Sequence, residues 1–352
     1  MLLMIAALTT VSIEADLKYK SIKGVGISMN IRHHLFFIAS QALHLFASPK
    51  KDTVGGQAII EGVMMRGKEK ISLAVRRGPD DVVVEHEAFV PITKKYPILK
   101  LPIIRGAVSL FESLSIGYKT LSRSADILTE AENLKNPPKE TKKSSKAMDK
   151  FYSILSFVIA FAISIGLFMY APMWVLSYFV PQDSAILFNT FTGIIRIALF
   201  LGYIILISMW KDIRRVFEYH GAEHKAIFTF EDGKELTIDN MKPYTTLHPR
   251  CGTSFLFIVG FICILLFSIV DAIYISYVGP YPNVLTRLLV HLLLIPFVSG
   301  TSYEVLKFSD RYQKVPLVKM LIMPGLWLQK ITTKEPDKEQ LEVASLALKA
   351  AL

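Results

Sequence analysis

Five residues near the middle of the chain, His220, Glu223, His224, His248 and Cys251, are of the types that bind divalent metal and move protons. They sit in two short stretches, His220-Gly221-Ala222-Glu223-His224 and His248-Pro249-Arg250-Cys251. On a helix, His220 and His224 share one face, where two imidazoles can grip a single cation with Glu223 beside them. The order H-x-x-E-H is also that of the inverted zincins, in which both histidines hold zinc and the glutamate is the general base. His248 and Cys251 can be returned to the same place by one loop, completing a set of imidazoles and a thiolate suited to zinc. A closed four-ligand site would be structural, whereas three ligands and a water would leave a position open for hydrolysis. The competing explanation is that the histidines cap helices or touch lipid headgroups, and that Cys251-Gly252 only gives a helix a narrow start.

A second group of polar residues lies upstream, in Gly55-Gly56-Gln57-Ala58-Ile59-Ile60-Glu61-Gly62-Val63-Met64-Met65-Arg66-Gly67. Its glycines permit close backbone approach, and Gln57, Glu61 and Arg66 are available as polar contacts, with Glu61 a second candidate catalytic carboxylate. A bulged strand and turn with exposed charges is the plainer reading. Glu304 could reach the histidine loop as a ligand or base, or pair with Lys307 or Arg311. Asp271, His291, Arg196 and Arg287 fall inside apolar runs, where polar groups are costly and usually paired, which suits a contact inside a helix bundle better than a transport path.

The elements that must position these residues follow from the hydrophobic pattern. The chain of 352 residues is 52% hydrophobic and carries a net charge of +10, which implies a mixed soluble and membrane architecture. Four stretches, roughly 151 to 178, 186 to 210, 254 to 278 and 285 to 306, are long enough to cross a bilayer. The segments between the first and second and between the third and fourth contain no Lys or Arg, while residues 136–150, the 211–253 loop and the tail are rich in basic residues, mostly Lys in the first and last. Both termini and the central loop are therefore expected on the cytoplasmic face of a bacterial plasma membrane. The excess of positive charge is then explained by topology or by anionic lipid, and gives no ground for sequence-specific nucleic-acid recognition. Cys251 and Cys263 are the two cysteines; Cys263 lies in an apolar run, so no disulfide is expected and Cys251 is a free thiol in a reducing compartment.

The expected organisation is an α-helical polytopic membrane protein of about four transmembrane helices with a small N-terminal β-containing cytoplasmic module. Residues 1–53 form an arm or surface helix, with Met29 as a second plausible start and no signal peptide. Residues 54–135 make the module, with β-branched runs, a turn at Gly78-Pro79-Asp80-Asp81, and an amphipathic helix across 98–128 that lies on the membrane or packs on the module. Residues 136–150 are a basic linker, 151–330 the membrane domain with its 211–253 loop, and 331–352 a cytoplasmic helix. PLVKMLIMPGLWLQ is too short to cross again and reads as interfacial or re-entrant.

Together, GGQAIIEGVMMRG, DIRRVFEYHGAEHKAI, HPRCGTSF and PGLWLQKITTKEPDKEQLEVA resemble the YqhQ-like bacterial membrane proteins, from about Gly55 to the C-terminus. The resemblance implies a metal-dependent enzyme and carries over His220, Glu223, His224, His248 and Cys251, with Glu61 from the first motif. The reading is a membrane-bound hydrolytic enzyme with zinc as the divalent cofactor. The alternative is a non-catalytic accessory factor of membrane-protein biogenesis or membrane organisation, docked on a translocon, a ribosome or anionic lipid.

Overall fold

The structure, a computed structural model, describes residues 54–135, 146–312 and 315–352. The N-terminal arm, 1–53, and most of the lysine-rich linker lie outside the described residues.

The module begins with an antiparallel meander, β1 (Gly55–Ile59), β2 (Gly62–Arg66), β3 (Lys70–Gly78) and β4 (Asp81–Ala88), ordered β1-β2-β3-β4. Alternate residues of a strand face opposite sides. Val63, Met65 and Ala74 enter one core, and Met64, Ile71, Leu73 and Val75 enter another. Burial of both faces explains why β2 and β3 are apolar almost throughout instead of alternating. After a short helix α1 (Ile92–Lys95) and a 3₁₀ turn, Pro97–Lys100, the expected amphipathic helix is α2 (Ile104–Lys135). It covers the second face with Ile127, and Arg123 and Lys119 pair with Glu85 and Glu87 of β4.

Helix α3 (Lys146–Ile165) passes through a π turn, Gly166–Tyr170, into α4 (Ala171–Leu176), and α5 (Ala185–Ile207) follows. The next helix, α6 (Lys211–Glu231), is separated from α5 by a turn at Ser208–Trp210, so the histidine helix is its own element and not an extension of the second apolar run. A short α7 (Ile238–Met241) precedes α8 (Gly252–Tyr277) and α9 (Val284–Arg311). The chain ends with α10 (Pro316–Thr332), which accommodates Pro324 internally, and α11 (Lys338–Ala351). The segment read as interfacial or re-entrant is thus a regular helix.

Four helical runs, Ile154–Leu176, Ala185–Ile207, Phe255–Tyr277 and Val284–Ser309, are long and apolar enough to cross a bilayer. Inside this group Asp271, Arg287 and His291 are joined in one network, while Arg196 bonds to the Met169 carbonyl at 3.1 Å. The Asp271 carboxylate accepts hydrogen bonds from Arg287 Nε at 2.8 Å, Tyr281 Oη at 2.7 Å, Asn189 Nδ2 at 2.7 Å and His291 Nε2 at 3.0 Å. Asp271, Arg287 and His291 are all fully buried, so this ties α5, α8 and α9 together as a bundle-internal contact.

The core of the remaining part joins segments far apart in sequence. Val63, Met65 and Ala74 of the sheet pack with Tyr219, Ala222 and Ala226 of α6 and with Leu341, Ala344, Ala347 and Leu348 of α11. The 211–253 loop and the C-terminal helix therefore form one packed unit with the N-terminal sheet. Ser72 Oγ donates to the Ala347 carbonyl at 2.5 Å, and Arg76 Nη2 pairs with Glu342 at 2.6 Å across the same junction.

Candidate metal centre

Helix α6 starts with Asp212 in its first turn and buries Tyr219, Ala222 and Ala226 as its core stripe, tertiary packing holding many aromatic and β-branched residues in the helix. That rotation leaves His220 and His224 on the side turned toward Cys251 at the start of α8, and Glu223 against Gly56 of β1. Cys251 is the N-cap of α8, its sulfur accepting from the Thr253 backbone N–H at 3.5 Å. The two helices therefore meet at His220, His224 and Cys251.

His220 Nε2 stands 3.2 Å from Cys251 Sγ. The ligand atoms of His220, His224 and Cys251 all lie within 4.8 Å of one another. Tetrahedral zinc, with Zn–N of about 2.0 Å and Zn–S of about 2.3 Å, separates a nitrogen and a sulfur ligand by about 3.5 Å; the His220–Cys251 pair is close to that spacing, and the set of three is a looser grouping. Each imidazole is also oriented from behind. His220 Nδ1 donates to the Thr332 carbonyl at 2.8 Å, and His224 Nδ1 donates to the Thr246 carbonyl. These bonds fix the tautomer that leaves both Nε2 lone pairs facing the thiol, the arrangement by which outer partners orient metal-bound histidines. His224 is 1% exposed, and its Nε2 has no hydrogen-bond partner among the described residues. Burial holds its imidazole below the ordinary histidine range, partly opposed by Cys251, so it stays neutral, as a ligand must. The residues present fit a divalent ion.

The carbonyl of Thr332 reaches His220 because Gly221 has no side chain. A Cβ there would overlap the Lys334 carbonyl and come within 3.1 Å of Thr246 Cγ2. The 332–334 strap is held across α6 by the Lys334 N–H bonded to the Phe217 carbonyl at 2.9 Å, and buried Lys225 pairs with Glu335 just beyond. The Asp337-Gln340 capping box then starts α11.

Glu223 is buried beside these ligands, and the Gly56 backbone N–H bonds to its carboxylate. A Cβ at Gly56 would lie 2.9 Å from Glu223 Cγ and Cδ. Burial pushes the Glu223 carboxyl above the ordinary carboxylate range, with His220, His248 and the Gly56 N–H pulling it back. The glycine motif of the first strand thus bears directly on the H-x-x-E-H helix.

The other candidates are placed differently. His248 is buried next door, its ring 5.5 Å from that of His224 and 4.5 Å from Phe228, but its Nε2 lies 3.7 Å from Glu231. Gln329 clasps its backbone, accepting from the His248 N–H at 2.7 Å and donating to its carbonyl at 2.9 Å. His248 therefore walls the centre, outside the convergent set of three. Glu61 stands at the β1–β2 turn with φ +52 and bonds to Arg215 and, at 3.3 Å, to Tyr219 Oη; it fastens the sheet to α6 on another side. Glu304 is held by Arg105 in a two-pronged pair, Nε to Oε1 at 2.6 Å, instead of reaching the histidines.

The family model described as protein of unknown function (DUF1385) matches residues 101–352. The chain belongs to that family. The match takes in α6, Cys251, α10 and α11, hence every convergent side chain and both carbonyls behind the imidazoles. This DUF1385 chain is also 34% identical over 301 residues to the uncharacterized protein YqhQ of Bacillus subtilis (strain 168), an alignment that covers 82% of this chain and 89% of the relative. The likeness to YqhQ first read from four motifs is thus a family membership. No solved structure matches.

Three contributors to the centre carry no residue-type signal: the Thr246 and Thr332 carbonyls and the Gly56 N–H, which are backbone groups. Gly221, a glycine inside an otherwise well-formed helix, is the one feature that could have announced the strap.

Proposed function

We propose that the protein is a membrane-bound, metal-dependent hydrolase whose centre lies at the ends of its apolar helices. The observation that carries this reading is the buried, unpartnered His224 Nε2, facing His220 Nε2 and Cys251 Sγ while the opposite nitrogens of both rings are tied to backbone carbonyls. Three convergent protein ligands, with His248 turned to Glu231, match a catalytic centre with an open position better than a closed structural one. Zinc suits two imidazoles and a thiolate. The chemistry such an ion supplies is Lewis acidity, which draws the pKa of a water molecule to about 7.

The remaining work falls to the chain's own groups. Glu223 is three residues beyond His220 on the same helix and is the carboxylate placed to receive the proton of an attacking water. Gly56 holds that carboxylate in position, and the buried ring of His248 closes one side against bulk solvent. The four apolar helices support a bilayer location. The lysine- and arginine-rich segments before the first run, between the second and third and after the fourth support a cytoplasmic face for the centre.

The test is metal content of the purified protein, by elemental analysis, for the native chain and for His224→Ala and Glu223→Gln. The reading expects one ion per chain in the native protein, loss in His224→Ala and retention in Glu223→Gln. Near-zero metal in all three would overturn it.

A further inference from the structure

The start of α2 and the turn before it present an apolar surface that the described residues leave exposed. Ile98 is 68% exposed and Phe111 72%, with Leu101, Ile104, Leu114 and Tyr118 also exposed. Residues 104, 111, 114 and 118 recur at helical spacing on one side of α2, while its opposite side, through Thr120, Ser124 and Ile127, is buried. The far end of the same helix is different, with Glu130, Glu132 and Lys135 near the exposed Leu134.

Two contacts set the level of this surface against the apolar helices. Ile103, in the left-handed region at φ +69, lies on Gly300 of α9, where a Cβ would come within 2.6 Å of Ile103 Cγ2. A Cβ on Gly106 would in turn meet the Gly300 carbonyl at 2.8 Å. Gly300 is one helical turn, about 6 Å, inward of Glu304, and Glu304 with its partner Arg105 marks where charge begins on α9. On the other side, the Tyr118 ring stands 6.1 Å from Phe157, one turn inside the start of the first apolar run. Both anchors put the exposed residues at least one helical turn inside an apolar run: one turn past the start of the first run at Phe157, and one turn inward of Glu304, which itself lies inside the fourth run ending at Ser309. Lys94, Lys95 and Lys100, all exposed, flank the apolar patch with long stems that can carry their ammonium groups outward.

We propose that residues 97–118 form a wedge set into the bilayer, with Ile98, Leu101, Ile104, Phe111 and Leu114 among the acyl chains and the three lysines at the phosphate plane. The depth implied, one helical turn, is that of interfacial helices, about 5–10 Å into the headgroup and acyl boundary. The occupant is lipid, because the patch adjoins apolar helices whose own side chains are exposed, Tyr118 of α2 meeting the exposed Phe157 of α3 and α9 carrying exposed Leu293 and Phe297. The inference rests on the reading that the four apolar helices cross a bilayer. It adds that the sheet and its metal centre are moored to the membrane through α2 and do not hang from the helices alone.

The test uses the full chain in phosphatidylcholine and phosphatidylglycerol vesicles with and without brominated acyl chains. Added tryptophan emission is read as the difference from the parent protein. Ile98→Trp and Phe111→Trp report the wedge, Leu134→Trp the far end of α2, and Leu293→Trp, 83% exposed in the fourth run, the membrane reading itself. The proposal expects bromine to remove the emission of Ile98→Trp and Phe111→Trp as it does that of Leu293→Trp, and to spare Leu134→Trp. If Leu293→Trp is quenched while Ile98→Trp or Phe111→Trp behaves like Leu134→Trp, the wedge is overturned and the four spans stand; burial against a second copy would give that outcome. Unquenched Leu293→Trp would end both readings.

Discussion

His220 Nε2 lies 3.2 Å from Cys251 Sγ across the joint between α6 and the N-terminus of α8. One residue comes from a helix fixed in the core with the N-terminal sheet, the other from the first turn of an apolar helix. An ion held there would couple the module to the helix bundle.

The strap over α6 predicts that Gly221→Ala damages the centre without touching a ligand. The added Cβ would overlap the Lys334 carbonyl, displacing the segment whose Thr332 carbonyl orients His220. Overpacking of this kind costs about 1–3 kcal/mol. A lower midpoint of thermal unfolding and reduced metal content are expected. Gly202→Ala, where nothing lies within 4 Å, should leave both unchanged and serves as the control.

Glu223→Gln keeps an acceptor for the Gly56 N–H but removes the base. Metal content and folding should persist, while hydrolysis across a panel of chromogenic ester, peptide and phosphoester substrates should fall by about 10²–10⁴-fold, the usual worth of general base catalysis. Equal activity in the variant would remove Glu223 from the chemistry.

The Asp271 network predicts a strong stability effect away from the candidate centre. Arg287→Ala leaves the fully buried Asp271 carboxylate without its cation, and breaking one side of a buried pair costs about 3–5 kcal/mol. Denaturation in detergent should show the loss, with metal stoichiometry unchanged in the folded fraction. Small destabilisation would mean that the pair is solvated.

How far the sequence reaches is clear from these same residues. The four apolar runs were legible to within a few residues, because about 20 consecutive apolar side chains have few alternatives. His220, His224 and Cys251 were legible as well, the first two through their i, i+4 spacing. That His248 belongs to Glu231 and Glu304 to Arg105 was not, since each partner is supplied by tertiary packing and several charges were in reach. Nor was the joining of β2, β3, α6 and α11 in one core, which depends on pairings across more than a hundred residues that no local periodicity encodes. Glu61 stood in a motif that suggested chemistry; its tie to Arg215 and Tyr219 explains the charge there as a clasp between sheet and helix.

The Arg123–Glu85 pair between α2 and β4 gives the acid side of the stability profile a definite sign. The hydrogen bond from Arg123 holds the Glu85 carboxyl below its ordinary value of 4.5, so its contribution is present above that pH and is lost as pH falls through the lowered value. The pair is about two-fifths exposed, and its worth is at most about 1 kcal/mol. Unfolding followed from pH 7 to pH 3 should show Glu85→Gln less stable than the native chain at pH 7, with the gap closing toward pH 3. A gap independent of pH would assign the effect to packing.

The metal centre itself is tested most directly by X-ray absorption at the zinc edge of the purified, zinc-loaded protein. The account predicts one sulfur at about 2.3 Å and nitrogen or oxygen neighbours at about 2.0 Å, with the sulfur shell absent in Cys251→Ser and the imidazole signal reduced in His224→Ala. Zinc bound with no sulfur neighbour, or a spectrum unchanged by both substitutions, would contradict it.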